Sequence, residues 1–291
     1  MITFLKNSKI NFVSKFKFGG YLSIIFIILG VFFYLFKGPE LGIDFKGGVE
    51  LIVQLDSSYK DKESISEYLI SNNIKYSNIK SYGNNKVRIL FDIGTEHKLT
   101  NQEFNIISYN KIGSTISDEL KYDALKALFI AVLLIGIYII IRFDWYSSIG
   151  AISALIHDIF IVITFLVLFG YEFNANIIAA FLIIIGYSLN DTIVVFDRIR
   201  ENIFEYSNMI LSQIVNLSLN ETLSRTVVTS LTTLFVVISI FIFGGGSLRG
   251  LSFALMIGVL SGTYSSIFVA SPIMMFLREK YYQEEENERD L

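Results

Sequence analysis

The sequence predicts an α-helical polytopic membrane protein with six transmembrane helices and a small α+β, ferredoxin-like extra-cytoplasmic domain between helices 1 and 2. Three observations point there. Six apolar runs approach or exceed the roughly 20 residues needed to cross a bilayer. Hydrophobic residues make up 53% of the 291 and charged residues only 18%, too apolar for a surface that meets water everywhere. The one long polar stretch, residues 38–122, alternates apolar and polar residues in short runs, as strands do.

Taken in order, residues 1–17 carry Lys6, Lys9, Lys15 and Lys17 without an acid and read as a cytoplasmic N-terminus. Span 1, residues 18–37, outruns a signal-peptide core of about 7 to 15 residues and ends in Lys37-Gly38-Pro39 rather than a small-x-small cleavage site. Within 38–122, residues 49–55 alternate as a strand, 64–70 form a short amphipathic helix, and 76–82 and 86–91 are strands around a Gly83-Asn84-Asn85 turn. Residues 105–112 supply a further strand, and Ser117-Asp118-Glu119 is expected to cap a helix entering span 2. Such an order suits a ferredoxin-like sandwich with one modest core. Residues 123–277 hold spans 2 to 6, at about 123–142, 147–170, 173–197, 226–248 and 250–277. Gly244-Gly245-Gly246 is the turn between spans 5 and 6, and the acidic tail in 278–291 is expected to lack fixed structure.

Orientation follows from lysine and arginine in the short flanks. With the N-terminus inside, Arg142, Arg198, Arg200, Arg225, Arg278, Lys280 and Arg289 fall on the cytoplasmic side, and only Arg249 lies in an outer short loop. Both termini are then cytoplasmic. The net charge of −3 gives no global field for nucleic acid, and the absence of cysteine excludes disulfides, thiolate metal sites and thiol nucleophiles. No catalytic residue, metal site or bound cofactor is expected.

Ionisable residues inside the spans are the sharpest functional signal, because each costs at least about 2.5 kcal/mol to place there and marks an ion path or proton relay by default. Asp191 lies toward the cytoplasmic end of span 4, flanked by Asn190 and Thr192, with Tyr187 at i−4 on the same face. Its bland reading is an interfacial acid, although aspartate is too short to reach far. Arg225 opens span 5 and is followed by Thr229, Thr232 and Thr233, a polar face expected to look inward. Arg225 shares the cytoplasmic half with Asp191, so an ion pair is geometrically open; equally, it could be an interfacial anchor. Asp158, beside His157 in the middle of span 3, reads as a relay or as a structural group bonded to hydroxyls of a neighbouring helix. In span 6, Gly250, Ala254, Gly258, Gly262, Ser266 and Ala270 recur at every fourth position, a stripe that allows close helix packing. Residues 197–201 continue span 4 into the cytoplasm as a solvated amphipathic segment.

Three motifs in order carry a resemblance. Gly42-Ile43-Asp44-Phe45-Lys46-Gly47-Gly48 follows span 1, the stretch from Gly186-Tyr187-Ser188-Leu189-Asn190-Asp191 through Phe196-Asp197-Arg198 lies on span 4, and Asn220-Glu221-Thr222-Leu223-Ser224-Arg225-Thr226 opens span 5. Together they resemble the SecD/SecF family of bacterial protein-export subunits, on its SecF side, over nearly the whole chain. The sequence departs from the family at Ile112-Gly113-Ser114, where Val-Gly-Pro is usual.

The resemblance implies an inner-membrane subunit that pairs with SecD and uses the proton-motive force, with protons as coupling ion, to help draw preproteins through the SecYEG channel. It implies kinship with the resistance-nodulation-division (RND) transporters, a proton-binding role for Asp191 and a partner role for Arg225. Two other readings share the helix pattern: an RND-type small-molecule or lipid exporter half, against which the single small outer domain argues, and an intramembrane aspartyl protease using Asp158 and Asp191, whose depths differ.

Overall fold

The computed structural model describes residues 9–56, 59–83, 85–94 and 104–289, the last eight of these for backbone alone. Among the described residues, six helical segments are long and apolar enough to span a membrane. A 3-10 turn, Val13–Lys15, leads into α1 (Phe16–Lys37). A one-turn α2 (Ile43–Lys46) then precedes β1 (Gly48–Gln54), α3 (Lys62–Ser71), β2 (Asn78–Ser81), β3 (Lys86–Phe91) and β4 (Asn105–Ile112). The rest of the bundle is α4 (Ser114–Arg142), α5 (Trp145–Phe169), α6 (Ala175–Glu205), α7 (Leu211–Phe243) and α8 (Gly245–Ser265), which continues through a π-helical turn, Ser266–Ala270, into α9 (Ser271–Arg289).

The four strands form one antiparallel sheet in the order β2-β3-β1-β4. Alternation along β1 and β3 sends Val49, Leu51, Val53, Val87, Ile89 and Phe91 to one face, where Ile65 and Leu69 of α3 close the core. Asp61 starts α3 by accepting from Ser64 N at 2.8 Å in a capping box. The opposite face carries charge, because Arg88 lies directly across from Lys80 and one diagonal step from Glu50. That face is turned toward the helices.

Several boundaries depart from the expectations above. Helix α4 begins at Ser114 behind Gly113 rather than at Ser117, whose hydroxyl donates to Ser114 O at 2.9 Å. The helix therefore starts inside the α+β region and runs on into the span. The acidic tail is helical through Arg289 instead of lacking structure, as a run of glutamates continuing an established helix allows. Asn84 of the expected turn, and residues 95–103 between β3 and β4, lie outside the described residues.

Glycine is obligatory where α2 meets β1. Gly47 has φ 72° and Gly48 φ 135°, and a side chain on Gly48 would run into the carbonyl of Phe91. Lys46 Nζ sits 2.9 Å from Asp92, which also accepts from Ser77 Oγ at 2.8 Å. These contacts, the lysine first, hold the Asp92 carboxyl below the usual aspartate value. Their contribution to stability is therefore complete above the ordinary aspartate range and disappears as pH falls through the lowered value. Thermal melts across an acid series should show wild type losing its advantage over Asp92→Asn in that window; a constant gap would contradict the contact.

Candidate functional site

The interior of the bundle is polar where α5, α6 and α8 meet. Asp158 on α5 is fully buried. Its Oδ2 accepts from Ser188 Oγ of α6 at 2.6 Å and Ser265 Oγ of α8 at 2.8 Å; its Oδ1 accepts from Ser261 Oγ of α8 at 2.5 Å, with His157 Nδ1 at 3.1 Å. Two partners per oxygen fill the acceptor capacity of a carboxylate. The helices come close enough for this because α8 presents its small stripe to α6. A side chain at Gly258 would overlap Ile184, and one at Gly262 would sit 3.0 Å from Ser188 Cβ. Ala254 is fully buried against the same helix, while Gly250 lies at ordinary distance from Tyr171 and Ile177. The stripe therefore makes an internal contact.

Asp191 lies about one turn below Ser188 on α6 and is 3% exposed. The hydroxyls of Thr263 of α8 and Ser230 of α7 lie beside its carboxyl group, and Arg225 lies farther off. Its Oδ2 is buried without a hydrogen-bond partner among the described residues. The two hydroxyls are linked to each other at 2.6 Å, and Tyr187 Oη donates to Ser230 Oγ at 3.3 Å, extending the chain. Asp158 and Asp191 thus belong to separate hydroxyl sets and share no contact.

Four sequence expectations change here. Arg225 is exposed on α7 and makes no ion pair with Asp191 among the described residues. The inward face of α7 consists of Thr222, Thr226 and Ser230, whereas Thr229 is only half-buried and Thr232 is exposed. Neighbouring residues on a helix stand about 100° apart, so a period that correctly groups residues can still be assigned to the wrong side. For the same reason Asn190, adjacent to Asp191, is exposed on the outer side of α6. Residues 197–201 are bonded as well as solvated: Arg142 pairs with Asp197 at 2.8 Å, and Arg198 with Glu221 at 2.6 Å and Glu201 at 2.8 Å.

At the other end of the bundle the glycine-rich motif meets the α5–α6 loop, a contact that sequence reasoning missed. Gly42 N donates to Phe173 O at 2.8 Å, and Phe173 N donates to Glu40 O at 2.7 Å. Asp44 Oδ2 accepts from Ala175 N, the first residue of α6, at 2.8 Å. Glu172, largely buried, pairs with Arg88 and lies 3.3 Å from Lys80, which also pairs with Glu40. Nearby, the Tyr82 ring packs on Gly246, and burial pushes the Tyr82 hydroxyl up despite its bond to Ser247.

Ionisable groups enclosed among six membrane-length helices, with a folded α+β domain docked on their loops, are the architecture of a polytopic membrane protein that carries charge-bearing groups in its interior. Residues 92–280 match the family described as protein export membrane protein SecD/SecF, C-terminal, and residues 35–58 match the SecD/SecF GG motif. The protein translocase subunit SecF of Rhodothermus marinus is 40% identical over 94% of this chain and 95% of its own; that of Petrotoga mobilis is 38% identical over 91% and 95%. The crystal structure of SecDF, a translocon-associated membrane protein from Thermus thermophilus, superimposes with a TM-score of 0.86 at 31% identity. That match covers 95% of this chain and 40% of the longer SecDF chain. A super-membrane-facing form of SecDF gives 0.72 at 29% identity, again over 40% of that chain. The chain belongs to the SecD/SecF family of protein-export membrane proteins, and within it to the SecF subunits. Membership places it among subunits of protein export rather than among enzymes.

Proposed function

We propose that this SecF-family chain is a proton-driven subunit of the Sec export machinery, working with SecD and the SecYEG channel to promote preprotein translocation and release on the extra-cytoplasmic side. The observation that carries the proton part is the contrast between two buried carboxylates. Asp158 has every acceptor position filled by groups on its own and two neighbouring helices, so it fastens them; Asp191 keeps one oxygen unpartnered beside a chain of hydroxyls, so it is the group free to take up and release a proton. Tyr187, Ser230 and Thr263 would relay that proton, and Arg225 would bias it through the field rather than by contact.

Exposure supports a membrane-embedded partner. Arg225, Leu231, Thr232, Phe235 and Val236 lie uncovered along α7, and a guanidinium in that position calls for an acceptor on another chain. SecD is that partner in this reading. The charge distribution supports cytoplasmic termini in the bacterial inner membrane, with residues 38–122 outside and 278–291 inside. The strand order and antiparallel pairing support a ferredoxin-like domain.

Inner-membrane vesicles depleted of this chain and then resupplied with it test the function. Translocation of a preprotein should rise on resupply only while a proton gradient is present. Equal stimulation after a protonophore dissipates the gradient would reject the proton-driven reading.

A further inference from the structure

We propose that the junction between residues 40–44 and 172–175, with Asp44 as its positioning residue, passes the movement of α6 to the outer domain. The inference rests on the reading of Asp191 above. Helices α1 and α4 are the covalent links to that domain, and neither supplies a partner to Asp191 or Asp158. Both are peripheral: α1 buries only Phe16, Gly19, Ser23 and Gly30, and α4 only Ser117, Gly136 and Ile139. Helix α4 does meet α6, through Arg142 with Asp197, but at the end of α4 remote from that domain.

Helix α6 offers a direct path. It runs unbroken from Ala175 to Glu205, so the 16 residues between Ala175 and Asp191 form a stiff rod of about 24 Å. At its upper end Asn174 caps the helix by accepting from Ile177 N at 3.1 Å, and the Ala175 N–H is bound by Asp44 of the outer segment. A carboxylate there also meets the positive end of the helix dipole. The bridge of Leu41 with Phe173 and the ion pair of Arg88 with Glu172 fasten the same loop to the flank and the charged face of the sheet. On the other side of Asp44, α2 passes through Gly47 and Gly48 straight into β1, the central strand that pairs with both β3 and β4. Rotation or axial shift of α6 is thereby delivered to the middle of the sheet.

The full-length chain, copurified with its SecD partner, allows a test because it has no cysteine of its own. Spin labels on Glu67→Cys of α3 and Ile242→Cys of α7 report the distance between outer domain and bundle. Introducing Asp191→Asn should shift that distance distribution. Asp44→Ala should erase the shift, and so should Ala175→Pro, which deletes only the donor N–H at a first helical position that proline tolerates behind an extended Asn174. Asp44→Asn, which keeps an acceptor oxygen, should retain it. Asp44→Ala should still conduct protons while losing gradient-dependent export, a separation that general destabilisation does not produce. Persistence of the shift in both Asp44→Ala and Ala175→Pro overturns the junction and leaves the Asp191 reading standing. No shift on introducing Asp191→Asn into an intact junction overturns both.

Discussion

Proton flux through proteoliposomes containing this chain and its SecD partner should fall to the level of empty liposomes in Asp191→Asn. The substitution preserves shape and leaves a carbonyl oxygen for the Ser230 and Thr263 hydroxyls, so the bundle should insert and melt as wild type does. Only the ability to exchange a proton is removed. A charge moving through 100 mV gains about 2.3 kcal/mol, which biases a two-state element roughly 50-fold. Losing it should return export to its gradient-independent level. A dye-based flux assay in parallel with preprotein translocation checks both, and unchanged flux would remove Asp191 from the path.

Asp158→Ala should act differently, through stability. Removing the carboxylate strands the hydroxyls of Ser188, Ser261 and Ser265 between helices. At about 0.6 to 1.7 kcal/mol for each interhelical bond, the loss is roughly 2 to 5 kcal/mol, a large share of the stability of an ordinary fold. Asp158→Asn retains one acceptor oxygen and should lose roughly half as much. Unfolding in mixed detergent micelles would measure the series. A wild-type transition in Asp158→Ala would mean that the serines find other partners and that Asp158 is not a fastening group.

Much of the membrane architecture was legible because a bilayer makes one demand on sequence, a long apolar run, and the chain meets it six times. Asp191 and Asp158 were legible for the same reason, since a charge inside such a run has no cheap explanation. What the sequence did not display was which side of each helix faces its neighbours. Arg225 was placed near Asp191 by membrane depth and Asn190 by adjacency in the chain, yet each sits on an outer face, while Thr226 and Ser230 take the inner one. The contact of Asp44 with Ala175 joins residues 131 apart through two loops, where no periodicity exists to be read. Glycines 47 and 48 marked that region as special without revealing what it touches.

The wide turn at Ser266–Ala270 has a consequence for how the sixth span is shared. One extra residue in a turn rotates all that follows by about 100° relative to a regular helix. Before it, the span lays Gly258 and Gly262 against α6; at its end and beyond it, Ala270 and Met274 lie against Gly150 of α5. Ser271 Oγ donates to Ser266 O at 2.7 Å, a side-chain bond across the wide turn. The sixth span thus serves as a keystone with two differently aimed bearing faces, changing neighbours along its length.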